Sequence, residues 1–338
     1  MRSPSSGRSS ICLSGKGGNT LQAERTDNAA VYAVPAEKTS RWALLRKQLH
    51  VNRHLYVLMS PFMLIFFAFT VIPVAMSLLL SFFYFNMLEF PRFIGWQNYA
   101  RLFLNDDVFL VALKNTLLFA VITGPISYVA CFLFAWIINE LSPKIRAFMT
   151  LVFYAPSISG NVFFIWLIIF SGDSYGYLNG FLMRVGFILE PIQWLQDEKY
   201  ILTIVIIVQL WLSLGTSFLA FIAGLQTIDK TLVEAGSVDG IKNRWQELWY
   251  ITLPSMKPQL MFGAVMQITA AFAVADISIA LAGFPSVNYA AHTVVTHLMD
   301  FGTIRFEMGY ASAIATVLFG LMLGTNMMTQ KLLRKVGE

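Results

Sequence analysis

The chain has 338 residues, of which 57% are hydrophobic and 13% charged. So large an apolar excess cannot be housed in the core of a soluble domain with an ordinary surface, so the composition points to a polytopic membrane protein. The formal net charge of +5 is no nucleic-acid signature, because the basic residues stand at the ends of apolar segments and not on one folded face.

Residues 1–40 are rich in Ser, Gly and charge and contain no apolar stretch. Residues 1–50 are therefore predicted to form a disordered cytoplasmic tail, and they lack the apolar region of a signal peptide. Gly15-Lys16-Gly17-Gly18 resembles a phosphate loop only superficially: Ser10 stands where the leading Gly belongs, and Gly17 where Ser or Thr would hold the metal. Arg41, Arg46, Lys47, Arg53, His50 and His54 then crowd ahead of the first apolar segment, as at a cytoplasmic membrane boundary. Cys12 lies in the tail and Cys131 in an apolar run, which excludes a disulfide between them.

Six apolar segments in 51–338 are long enough to cross a ~30 Å hydrocarbon layer. They lie near 55–85, 108–138, 147–171, 201–224, 259–283 and 309–330. None alternates apolar and polar residues, so the predicted class is all-α, with six transmembrane helices. Pro61 and Pro73 predict kinks in the first. With the N-terminus inside, most of the 24 Lys and Arg fall on cytoplasmic segments, which also puts the C-terminus and residues 225–258 in the cytoplasm.

Residues 229–254 are the longest polar interruption of the apolar region and have helix–turn–helix grammar. Asp229 or Thr231 can cap a helix start, and Thr231-x-x-Glu234 fits a capping box. Ala235, Gly236 and Ser237 leave one side of that helix nearly bare, and Val238 follows. Asp239-Gly240 supplies a stop. Asn243 with Gln246 starts a second short helix, and Pro254, after Leu253, is expected to end it. A bare-faced wedge suits a groove on another protein; an ordinary loop with two amphipathic turns fits the same spacing.

Glu234-Ala235-Gly236, Asp239-Gly240 and Ile251-x-Leu253-Pro254 resemble the loop shared by permease subunits of binding-protein-dependent ABC importers. The family's pattern has Ala where this chain has Gly236, a change that costs about 1 kcal/mol of helix propensity. Phe93–Tyr99, Asn115-Thr116, Gly176–Asn179, Trp194-Leu195, Trp211, Gly215, Leu219–Gln226 and Gly309–Ala313 are similar to landmarks of the carbohydrate-uptake members. The resemblance covers roughly residues 50–330. It implies half of a translocation pathway for a sugar or oligosaccharide. The other parts would be a second homologous permease, two ATP-binding cassette ATPase subunits and an extracytoplasmic solute-binding protein, all working in membrane lipid. Glycerol phosphate, polyamines or peptides are the alternative substrates, and a stand-alone channel or membrane enzyme is the alternative class.

No catalytic set emerges, there is no ATP-binding motif, and no cofactor is expected. His50, His54, His292 and His297 form no metal-binding motif with neighbouring carboxylates, so no metal site is expected either. Asp276 is an intramembrane carboxylate about 25 Å along its span from the cytoplasmic end. Thr269 lies on nearly the same stripe, and Ala271 and Ala275 mark a close-packing face. Asp276 suits a gate or path lining as well as a structural pair or a snorkelled acid. Gln267, Asn115, Asn161, Trp166, Trp211 and Thr216 fit either a sugar path or fixed interhelical hydrogen bonds.

Overall fold

The computed structural model describes residues 50–334. The expectations placed on the tail, on Gly15–Gly18, on Cys12 and on Arg41, Arg46 and Lys47 lie outside the described residues. The chain divides into two units, Met1–Phe67 and Ala68–Glu338.

In the first unit, helix α1 (Arg53–Phe66) runs through Pro61 and buries no residue. It is apolar on every side, with Leu58, Phe62 and Ile65 all exposed. A helix of that kind needs a nonpolar environment around its whole circumference.

A π-helical turn, Phe67–Val71, leads into α2 (Ile72–Leu80) of the second unit, with Pro73 near its start. The π-turn just ahead of it is the kind of irregularity at which a continuing helix accommodates a proline. A short antiparallel pair, β1 (Phe83–Tyr84) and β2 (Arg92–Phe93), places Phe83 opposite Phe93. Next come α3 (Gln97–Leu104) and the long α4 (Asp107–Asn139), which Asp106 caps by accepting from the Phe109 N–H at 2.9 Å. α5 (Pro143–Ile158), α6 (Phe164–Ile169) and α7 (Tyr177–Val185) follow. α8 (Glu198–Leu212) and α9 (Thr216–Gln226) make one interrupted run.

Five helical runs among the described residues are long and apolar enough to cross a membrane: Arg53–Leu80, Asp107–Asn139, Glu198–Gln226, Lys257–Ala282 and Met308–Arg334. The predicted helix over 147–171 is instead α5 and α6, separated by a non-helical stretch. Ser159-Gly160-Asn161 are turn residues, and Gly160 takes a left-handed φ of +53°, which a helix cannot accommodate.

α13 (Lys257–Phe272) and α14 (Asp276–Ala282) form the fourth run, and α16 (Met308–Arg334) the last; α15 (Val294–Met299) lies between them. α4, α9 and α13 pack on one another, and α16 packs on α13. Three clusters fill the interior, around Phe119 and Val208, around Phe109 and Ile314, and around Phe221 and Met256. In lipid such contacts act through close packing rather than through water exclusion, so small residues matter. A Cβ on Gly263 would collide with the Phe221 ring, and one on Gly309 with the Phe83 carbonyl oxygen.

Three asparagine landmarks are staples for irregular backbone. Asn98 Nδ2 donates to the carbonyls of Ser81 and Phe83, at 2.8 and 3.0 Å. Asn115 Nδ2 lies 3.0–3.1 Å from the carbonyls of Tyr289, Ala290 and His292. Asn179 Nδ2 donates to the carbonyls of Ser171, Asp173 and Ile192, while its Oδ1 accepts from Ile192 N–H and Trp194 Nε1. A carboxamide offers both donors and an acceptor, which suits buried turns whose backbone has no regular partner.

Candidate functional site

Two short helices and a π-turn build the wedge at residues 229–254. α10 (Lys230–Val238) starts at Asp229, whose carboxylate accepts from the Thr231 N–H at 2.9 Å. That bond holds the Asp229 carboxyl below its ordinary range. Thr231 therefore sits inside the helix, and the predicted box from Thr231 to Glu234 does not form. The helix stops as expected: Gly240 takes φ +98°, and the Ile241 N–H returns to the Gly236 carbonyl at 2.9 Å. Asn243 caps α11 (Arg244–Glu247) by accepting from the Gln246 N–H at 2.8 Å. Gln246 in turn accepts from the Lys242 N–H at 2.9 Å.

Pro254 does not end the second helix. The chain continues through a π-turn, Leu248–Thr252, into α12 (Leu253–Ser255), and restarts after Met256 as α13. Pro254 stands two residues after the π-turn, the kind of irregularity at which a continuing helix accommodates a proline. The wedge is thus joined to a membrane-length helix almost without a break.

The bare face is divided. Gly236 is buried: a Cβ there would lie 2.5 Å from Ile251 Cδ1 and 3.0 Å from Ile241 Cδ1. Its smallness serves the packing of the wedge on itself. Glu234, Ala235, Ser237, Val238, Asp239 and Gly240 face outward, with Val238 87% exposed. Trp249 and Tyr250 of the π-turn are also exposed. Leu253 and Pro254 are half-buried at the root.

The wedge grips the end of α4 in two ways. Arg244 reaches Glu140 at 2.6 Å and Glu247 at 2.9 Å. These carboxylates, Glu247 first, raise the guanidinium's pKa further. The Trp136 and Trp245 rings meet at 5.2 Å. Beside them lies a cavity of about 630 Å³ lined by Lys230, Glu234, Arg146 and Thr252, among others.

The intramembrane candidates separate by environment. Asp276 opens α14 just after the break at 273–275, and it is exposed; Thr269 and Ala273 are exposed with it. Thr269 Oγ1 donates to the Val265 carbonyl of its own helix at 2.9 Å. Gln267 is buried and donates to Cys131 Sγ and the Ser213 carbonyl, both at 3.1 Å. Asn115 is the staple described above. Trp211 meets Trp166 edge-on at 5.5 Å. Asn161 and Thr216 are exposed.

A buried polar cluster went unforeseen. Asp106 Oδ2 accepts from Tyr310 OH at 2.6 Å and lies 3.0 Å from His297 Nε2. The His292 ring is 5.5 Å from that of His297. Residues 106, 297 and 310 are too far apart in sequence for any spacing rule. The one local signal was Asp106 just ahead of an apolar run, as a helix cap. Among the described residues no group of His, Cys, Asp or Glu has the geometry of a metal site.

A family model for the inner membrane component of binding-protein-dependent transport systems matches residues 132–337, more than half of the chain. The chain belongs to that family. This permease is 35% identical over 269 residues to the probable ABC transporter permease protein YesP of Bacillus subtilis (strain 168), covering 78% of this chain and 84% of the relative. It is 34% identical over 232 residues to the lactose transport system permease protein LacF of Rhizobium radiobacter, covering 67% and 74% respectively. Its fold matches a chain of a bacterial alginate ABC transporter, solved with an alginate pentasaccharide-bound periplasmic protein. The TM-score is 0.68 at 24% identity, covering 86% of the permease and 99% of that chain. The permease is a multi-pass membrane protein, and the wedge and the last three membrane-length runs lie inside the family match.

Proposed function

We propose that this permease forms half of the translocation pathway of an ATP-driven importer for a sugar or oligosaccharide. An extracytoplasmic binding protein delivers the solute, a second related permease supplies the other half, and two ATPase subunits dock below. The chain itself catalyses no reaction. α5 and α6 together make the sixth crossing, and residues 51–338 form the transmembrane domain. Both termini and the wedge are cytoplasmic. The likeness to a lactose permease over two thirds of the chain supports a carbohydrate substrate.

The observation that carries the reading is the outward face of the wedge. Ala235, Ser237 and Val238 allow close approach, Glu234 and Asp239 offer charge, and the wedge continues into α13 and grips α4 through Arg244. ATP binding then favours one arrangement of the membrane helices by moving a single rigid element. Asp276 and Thr269 line the path on the exposed stripe of α13–α14. Gln267, Asn115 and Trp211 hold its walls.

Co-expression with candidate ATPases and binding proteins tests this. A thermal-shift screen of the co-purifying binding protein identifies the sugar, and uptake of that sugar into proteoliposomes requires ATP. Uptake without any ATPase subunit would establish a stand-alone channel instead.

A further inference from the structure

A second cavity, about 530 Å³, lies within the membrane-spanning helices α4, α13 and α16. Val121, Gly124, Tyr128, Phe272, Met328 and Leu332 line it. It opens sideways, since Val121 and Met328 are 71% and 65% exposed. Gly124-Pro125 makes its back wall. Gly124 is itself buried, yet a Cβ there would meet nothing within 4 Å.

Three of the four polar side chains on its lining donate elsewhere. Tyr128 OH donates to the Leu260 carbonyl at 3.3 Å, Thr325 Oγ1 to the Leu321 carbonyl at 2.8 Å, and the Gln267 amide nitrogen to Cys131 and Ser213. Thr329 is the one other polar side chain on the lining, so the groove offers little with which to recognise a sugar or an ion. An empty groove of this size would also forfeit dispersion contacts along three helices. Its natural occupant is a hydrocarbon chain.

The end of the groove is basic. Leu332 and Leu333 line it between Lys331 and Arg334, both exposed. Lys257 Nζ donates to the Arg334 carbonyl at 2.7 Å, bringing a third cation to the same rim. None of the three is in an ion pair among the described residues. Basic rims between transmembrane helices attract anionic headgroups.

We propose that this groove is a binding site for an anionic phospholipid, with one acyl chain against Gly124 and the phosphate at Lys257, Lys331 and Arg334.

The test uses the purified transporter complex and phosphatidylglycerol carrying a photoreactive diazirine in its acyl chain. Phosphatidylcholine with the same chain is the control. Crosslinks mapped by mass spectrometry are expected within residues 117–128 and 325–333, at least five-fold stronger for phosphatidylglycerol. Gly124→Phe fills the groove and removes them, with transport retained; should that variant fail to assemble, Val121→Trp does the same from the exposed edge. The triple change Lys257→Gln, Lys331→Gln, Arg334→Gln equalises the two lipids. Equal labelling by both lipids in the unaltered complex would overturn the proposal. So would absence of labelling together with a Val121→Cys crosslink to another helix, which would show that protein fills the groove.

Discussion

Arg244 Nη2 lies 2.6 Å from Glu140 Oε2, tying the wedge at 229–254 to the end of the longest helix, α4. The side chains are 59% and 41% exposed, so the pair adds less than about 1 kcal/mol to stability. Its role is geometric. Arg244→Gln and Glu140→Gln should each lower the sugar transported per ATP hydrolysed while leaving the melting temperature nearly unchanged. The double variant should lose no more than either single one. Parallel assays of uptake and ATP hydrolysis in proteoliposomes check this; additive losses would show that the two residues act separately.

Gly309 and Gly236 should respond differently to alanine. At Gly309 the new methyl meets the Phe83 carbonyl oxygen, in backbone fixed by the Gly309 N–H to Phe85 carbonyl bond at 3.1 Å. Gly309→Ala should cost about 1–3 kcal/mol, as overpacking does. At Gly236 the obstacles are the ends of two isoleucine side chains, which can turn away. Helix propensity returns about 1 kcal/mol there, so Gly236→Ala should be near neutral. Thermal unfolding of the detergent-purified complex distinguishes the two.

Asn179 is fully buried and serves both a donor set and an acceptor set. Asn179→Leu keeps the size and orphans the Ile192 carbonyl and Trp194 Nε1. A loss of about 3 kcal/mol is expected, from more than one stranded polar group. Asn179→Asp should fare no better, because a carboxylate cannot donate to carbonyls. A melting temperature within one degree of the parent for either variant would refute the staple.

The cluster at Asp106 should make the protein acid-sensitive in two windows. Burial, reinforced by the neighbouring His297, pushes the His292 pKa down to about 4. The unfolded chain takes up that proton near pH 6.5, so stability falls as pH drops from about 6.5 to about 4, by at most about 3 kcal/mol. Burial alone would raise the Asp106 pKa. Hydrogen bonds from His297, Tyr310 and the Phe109 N–H outweigh it and hold the carboxyl well below the usual carboxylate range. The stability Asp106 contributes is present above its unfolded value of about 3.9 and is lost only below that. Melting temperature against pH should therefore decline between 6.5 and 4 in the parent and stay flatter there in His292→Gln. Equal slopes would remove His292 as the cause.

Much of this was legible in the sequence, for identifiable reasons. Local signals held where backbone chemistry is local: Asp229 and Asn243 cap helices, and Gly240 stops one. Apolar length found five runs. It did not show that 147–171 is broken into two helices, because hydropathy does not register the turn at Ser159-Gly160-Asn161. It also could not show that Gly236 faces inward, since Ile241 and Ile251 reach it only once the wedge has closed. The link from Asp106 to His297 and Tyr310 joins segments 191 and 204 positions apart, and no periodicity encodes that.

The most direct measurement labels Ser237→Cys, an exposed position on the wedge, with a membrane-impermeant maleimide. Inside-out vesicles containing the permease without ATPase subunits should label, right-side-out vesicles should not, and adding the ATPases should suppress the labelling. Labelling from the outer side, or labelling indifferent to the ATPases, would contradict the account.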